Sequence, residues 1–367
     1  MATETATDDE RLKRVPLITR LMKRPELGAI AGLVVVTIFF LIVADPVMFS
    51  LSGILNFLTP AAQLGILALG AALLMIGGEF DLSVGSMVAF AGLIFGIAVT
   101  VMGLPLILAI PFTFAVSAGM GLVNANIVLR TGLPSFIVTL AFLFVLRGLT
   151  LVGLKWATGG STQLRGVRDA VAGDFLLPIF SGDAFGGLFR WLAANEMVAT
   201  FPNGQPTVTG IPIDIIWFVI LTAMATYLLL RTPFGNWIFA SGGDANAAKN
   251  SGVPVQRVKT TLFIITACAA TMVAILTVLD AGSTDARRGF MKEFEAIIAA
   301  VIGGCLLTGG YGSAIGAAFG ATIFGMVLIG LTYTGIDQDW YQVFLGGMLL
   351  IAVIFNNVIR KRVTGER

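Results

Sequence analysis

Histidine is absent from the 367 residues, and cysteine occurs only at Cys268 and Cys305. The first absence removes the commonest general base and the commonest metal ligand. The second, with both cysteines inside apolar runs, means that neither a disulfide framework nor a thiolate metal site is indicated. No Gly-Lys pair occurs, so a phosphate-cradling loop of the Walker type is missing, and no G-x-G-x-x-G follows a strand-like run. Charge is scarce as well: 12% of residues carry it, against about a quarter in soluble domains. With 57% hydrophobic residues, the polar cover that a water-exposed surface requires is not there. The solvent for most of this chain is therefore lipid. No catalytic residue, metal or cofactor of its own is expected, and a net charge of +2 carries no nucleic-acid signature.

What is present is a series of apolar stretches. A membrane helix takes about 20 such residues. Residues 27–44 make one span, and 46–78 one long or interrupted helix. Residues 82–129 make two, turning near Gly103-Leu104-Pro105, and 131–154 one that contains Arg147. Residues 215–230 and 260–279 make one each, 296–336 two that break around Gly309-Gly310-Tyr311-Gly312, and 341–359 the last. The expectation is an all-α polytopic membrane protein of about ten transmembrane helices. The first stretch is longer than a signal core and follows a long charged leader, so it reads as a retained helix.

Fifteen of the 23 basic residues fall on one face: the leader, the tail, Arg130 and the 231–259 connection. Positive residues mark the cytoplasmic side, which places both termini there. The division expected is a cytoplasmic leader at 1–26, a transmembrane domain at 27–360 and a cytoplasmic tail at 361–367. Within the domain, 155–212 lies outside the cytoplasm and 231–259 inside it. Residues 184–197 of the outer segment mix apolar residues with Arg190 and Glu196 as a surface-lying helix does. The outer segment reads equally as a lid on the helix ends or as a docking surface.

Between the second and third spans runs Ile76-Gly77-Gly78-Glu79-Phe80-Asp81-Leu82-Ser83-Val84-Gly85-Ser86. Carboxylates among apolar neighbours are costly in lipid unless they pair, cap a helix or face a polar cavity. Glu79 and Asp81 thus read as a turn whose Asp81 caps the next helix, as part of a translocation pathway, or as a contact with a partner. The four-residue glycine steps at Gly92–Gly96 and Gly312–Gly316–Gly320 read as helix packing. A faint echo links Gly77–Gly96 with Gly303–Gly325. Asn56, Gln63, Ser83, Asn124, Asn126, Ser135, Thr139 and Arg147 are isolated polar groups in apolar surroundings. Interhelical hydrogen bonds explain each one, and together they offer donors and acceptors to an uncharged, hydroxyl-rich solute.

Taken together, G-E-F-D-L-S-V-G-S, L-P-S-F-I-V-T-L-A at 133–141 and Arg147-Gly148 resemble the permease subunit of bacterial ABC importers for monosaccharides of the ribose, xylose and galactose type. The likeness continues through R-T-P-F-G at 231–235, G-G-D-A-N-A-A-K-N-S-G-V at 242–253, E-A-I-I-A-A-V-I-G-G at 295–304 and G-G-Y-G-S at 309–313. It implies a multi-pass protein of the bacterial inner membrane that is a transport subunit, not an enzyme. Its implied partners are a cytoplasmic ATPase that uses the ATP, a periplasmic solute-binding protein, a second permease copy, lipid and a sugar or polyol. It also assigns 241–253, with Gly242, Gly243, Asp244, Asn246, Ala247, Ala248, Lys249, Ser251 and Gly252, to coupling with the ATPase. Glu79 and Asp244 stand where many members carry Gly and Asn. A nucleoside importer of the same build, and a proton-coupled secondary transporter using Glu79 or Asp81, are the alternative readings.

Overall fold

A computed structural model describes residues 26–364, so the basic leader and residues 365–367 lie outside the described residues. In chain order the helices of six or more residues are α1 (Glu26–Val43), α2 (Leu51–Ile76), α3 (Val84–Thr100), α4 (Leu106–Thr131) and α5 (Ser135–Thr158). A surface helix α6 (Gly186–Ala194) follows, then α7 (Ile213–Arg231), α8 (Pro233–Gly243), α9 (Ala245–Asn250), α10 (Val255–Ala281), α11 (Lys292–Ile302), α12 (Ala314–Thr334) and α13 (Trp340–Thr364). Among the described residues, four strands of two or three residues interrupt the helices. β1 (Gln163–Arg165) pairs antiparallel with β4 (Ser283–Asp285), and β2 (Asp183–Ala184) pairs with β3 (Ile211–Pro212). The chain is otherwise all-α.

Among the described residues, seven helices are long and apolar enough to cross a membrane: α1, α2, α4, α5, α7, α10 and α12. They separate by burial. In α2, α10 and α12 between 67 and 78% of the apolar window is inside the protein, whereas α1, α4, α5 and α7 bury 17 to 33%. The first three are therefore a central layer and the other four present most of their surface outward. Glycine makes the centre possible. A Cβ at Gly316, Gly320 or Gly325 would enter the backbone of Gly303, Ala299 or Phe57, so α12 lies against α11 and α2 at backbone distance, as the glycine spacing predicts.

Three helices differ from the expected spans. α3 has 17 residues, and the apolar part of α13 runs only over Trp340–Ile351. α11 has 11, about 16 Å of helix against a hydrocarbon core of about 30 Å. Residues 283–291 supply the remaining depth. They begin as β4 and descend along α3, Thr284 beside Gly92 and Gly96, and Gly289 against Gly85. Charged Asp285, Arg287, Arg288 and Lys292 disguise this descent in the sequence as an outer loop.

The 231–259 connection is mostly helical: α8 and α9 fill it, and α10 starts at Val255. The outer segment packs on the helix ends. Phe180 stacks on Trp217 with centroids 5.6 Å apart, the Trp217 indole donates to the Ile179 carbonyl at 2.8 Å, and Asp174 accepts from the Leu106 N–H. Helix α6 forms within the stretch expected to lie on the surface, burying Phe189 and Ala193 and exposing Trp191.

Candidate functional site

Six of the ten pathway candidates converge on one structure, the turn 77–83. α2 ends when Gly77 and Gly78 leave the helix, Gly78 at φ +82°, a conformation that costs other residues steric strain. The chain then folds back instead of running into water. The Phe80 N–H donates to Ser135 Oγ and the Leu82 N–H to Thr139 Oγ1, each at 3.0 Å. Both hydroxyls sit in the first turns of α5, so they anchor backbone groups that would otherwise be orphaned in an apolar setting. Asp81 is buried and accepts from the Ser83 N–H at 2.8 Å and from Ser83 Oγ at 2.5 Å. Asn124 Nδ2 of α4 donates to Ser83 Oγ at 3.0 Å. Glu79 meets Lys259 Nζ at 2.6 Å, tying the turn to the first turns of α10.

The other four candidates stand apart. Asn56 is exposed and donates to the Tyr333 hydroxyl at 3.4 Å. Gln63 lies beside the carboxylate of Asp214, a buried group in the first turn of α7 with Asp280 nearby. Asn126 is half-buried, and its side chain makes no hydrogen bond among the described residues. Arg147, halfway along α5, donates to the carbonyls of Ala286 and Arg288 at 3.2 and 3.3 Å and lies 5.6 Å from the Phe290 ring centre. None of the ten lines the apolar cavity of about 480 Å³ bounded by α2, α7, α10 and Phe180, or the groove of about 690 Å³ between α7 and α12.

Below this turn lies the segment 241–253. Asp244 caps α9, accepting from the N–H groups of Asn246 and Ala247 at 2.9 and 3.0 Å. Ala248 is buried beneath the helix. Gly243, Asp244, Asn246, Ala247, Lys249, Ser251 and Gly252 are exposed. Gly242 faces inward: a Cβ there would meet the Gly310 nitrogen at 2.7 Å and collide with the Ile76 carbonyl. The Gly310 N–H donates to that same carbonyl at 2.8 Å. Gly309 in turn would meet the Gly78 Cα at 2.8 Å and the Gly242 carbonyl at 2.7 Å. Three chain segments thus touch through glycine backbone: the end of α2, the end of α8 and the 303–313 turn between α11 and α12.

The faint echo between the two glycine-rich turns has a local basis. Gly77 and Gly303 close their helices near φ −71° and −66°, and Gly78 and Gly304 follow at +82° and +92°. The N–H of Glu79 reaches the Leu74 carbonyl as that of Cys305 reaches Ala300. This is one helix-ending motif used twice. The second turn is fixed from outside by Ser313 Oγ donating to Glu26 at 2.8 Å. In it, burial and the Glu26 carboxylate push the Tyr311 phenol above its ordinary range, and burial pushes the Cys305 thiol up to about 12.

Lys259 and Asp214 were not among the sequence candidates. Lys259 looked like one more basic residue of a cytoplasmic loop, and nothing in its neighbourhood points across 180 positions to Glu79. Asp214 carried a usable signal, since it is an acid immediately before an apolar run at 215–230.

Comparison with known proteins gives a consistent result. The xylose transport system permease protein XylH of Escherichia coli (strain K12) is 29% identical over 363 residues, covering 91% of this chain and 92% of that protein. XylH of Haemophilus influenzae is also 29% identical, covering 90% of this chain and 96% of the relative. The ribose import permease protein RbsC of E. coli (strain K12) is 30% identical over 315 residues, covering 85% and 88% respectively. No solved structure matches. A family described as "Branched-chain amino acid transport system / permease component" matches residues 53–353, and to that family this chain belongs.

Proposed function

We propose that this chain is the membrane-spanning permease subunit of an ATP-binding-cassette importer that carries a monosaccharide or a sugar-like polyol across the cytoplasmic membrane. The observation that carries the reading is the end-to-end likeness to xylose and ribose permeases, which spans both the outer segment and the 231–259 connection. A cytoplasmic ATPase docks on the exposed face of α9 and hydrolyses the ATP, a periplasmic binding protein delivers the solute, and a second permease copy completes the pore. The chain itself is not an enzyme.

The geometry around α9 supports this assignment. An exposed six-residue helix, capped by Asp244 and braced through Gly242 against Ile76 and Gly310, transmits a push with little give. The carboxylates needed by a proton-driven transporter are engaged otherwise, Glu79 with Lys259 and Asp81 with Ser83. The test is reconstitution into liposomes with the ATPase and binding protein, followed by uptake of labelled xylose, ribose, galactose, inositol, nucleosides and leucine. Sugar uptake that requires internal ATP and survives an uncoupler is expected. Uptake of nucleosides or leucine alone, or accumulation driven by a proton gradient without the ATPase, overturns the proposal.

A further inference from the structure

Residues 283–291 sit where irregular backbone is rarely found. Arg147 is twelve residues from the start of α5 and eleven from its end, about 17 Å from either along the helix. Its guanidinium holds the carbonyls of Ala286 and Arg288, so those peptides lie near the middle of the bilayer. The backbone there is turned, not helical, with Gly289 at φ +71° and Met291 at +65°, and a left-handed methionine costs of order 1–3 kcal/mol. Non-helical backbone at this depth is tolerated only inside protein or beside a watery cavity.

One side of the segment is inside protein: Thr284, Ala286, Glu293 and Glu295 are buried. The other side is open. Arg287, Phe290, Met291 and Phe294 are exposed, the two rings at 60 and 42%. Arg287 forms no ion pair among the described residues. A guanidinium beside open turns at mid-depth does not face lipid tails, since each would cost several kcal/mol there. Two aromatic faces beside a few fixed polar groups are the composition of a small-molecule site, and they suit a solute with both C–H faces and hydroxyls.

We infer that the open face of 283–294 lines the solute path, with Phe290 and Phe294 as stacking surfaces for a sugar ring and Arg287 as a hydroxyl donor. The inference rests on the importer reading, and its experiment is read separately. In a Cys268→Ala background (Cys305 is buried and its thiol is held protonated), Phe290→Cys, Arg287→Cys and Phe294→Cys are each reconstituted with the ATPase and binding protein. They are then treated with a membrane-impermeant methanethiosulfonate. Labelling of all three is expected, slowed several-fold by xylose or ribose during ATP-driven turnover. Phe290→Ala should lower uptake while Phe290→Tyr retains it, with binding-protein-stimulated ATP hydrolysis reporting assembly in both. No labelling at all three positions, or labelling indifferent to a sugar that the wild type transports, overturns the inference and leaves the importer reading standing. A wild type that transports no sugar overturns the importer reading instead, and the labelling then reports only whether the face is wet.

Discussion

Removing either partner of the Lys259–Glu79 pair should be costly, and more costly than removing both. The two charges are 2.6 Å apart with 13 and 12% of their side-chain surface exposed, too little for water to take over as the partner. Breaking a buried pair costs roughly 3–5 kcal/mol, mostly the burden of the stranded charge, whereas replacing both partners with apolar groups is often close to neutral. The residual exposure moves this pair toward the lower bound. Glu79→Gln and Lys259→Met should therefore each lose about 2–3 kcal/mol, and the double variant less than either single, a coupling of at least about 2 kcal/mol. Reversible denaturation in detergent measures the cycle. Transport supplies a second reading. The swapped pair Glu79→Lys with Lys259→Glu should recover uptake lost in the singles, because it restores the tie between the 77–83 turn and α10. Single variants as stable as wild type, or losses that simply add, would refute the claim that the pair acts as a structural tie. A swap that stays dead while folding normally would return Glu79 to the role of a proton relay.

Three further changes are informative. Asp81→Ala should destabilise by about 2 kcal/mol or more, because it strands the Ser83 N–H in an apolar interior; thermal unfolding of the purified protein checks it. Gly320→Leu should prevent accumulation of folded protein, since its side chain would occupy the Ala299 backbone, and a folded, monodisperse preparation would contradict the packing described. Gly242→Ala, which forces apart Ile76 and Gly310, should leave ATPase binding intact, since Gly242 faces inward, but reduce uptake per ATP hydrolysed. A pull-down beside a proteoliposome assay separates the two effects.

The helices were largely legible because apolar runs report lipid directly: the stretches 27–44, 215–230 and 260–279 each fall within one or two residues of a helix or inside it. The glycine steps were legible for the same reason, since small residues in lipid have little use besides close approach. The descent at 283–291 was not. Its charges are those of an extramembrane loop, and only the placement of Arg147 against its carbonyls shows how deep it lies. The site was half legible. Glu79, Asp81, Ser83, Asn124, Ser135 and Thr139 were singled out one by one as out-of-place polar groups, but their gathering around one turn depends on contacts across 41 to 57 positions, which no local pattern encodes. Asn56, bonded to the Tyr333 hydroxyl, and Asn126 carry the same signal and stay outside this turn, so polarity alone does not identify a network.

On the proposed docking of an ATPase at α9, the two turns give its movement a route into the helix bundle. Gly242 touches Ile76 and Gly310, and Gly309 touches Gly78, all through backbone atoms that have no rotamers with which to yield. The 303–313 turn continues directly into α11, whose first residues carry Glu293 against Gly85 and follow the left-handed Met291. Side-chain contacts would absorb a displacement of an ångström by rotation, whereas backbone contacts pass it on, because close-packed interiors switch between arrangements and do not deform smoothly. A movement imposed on α9 therefore has two outlets, the 77–83 turn with its hydroxyl clamps and the 283–294 face. Glycine at 78, 242, 309 and 310 is what keeps both outlets in contact with the end of α8, which leads directly into that small helix.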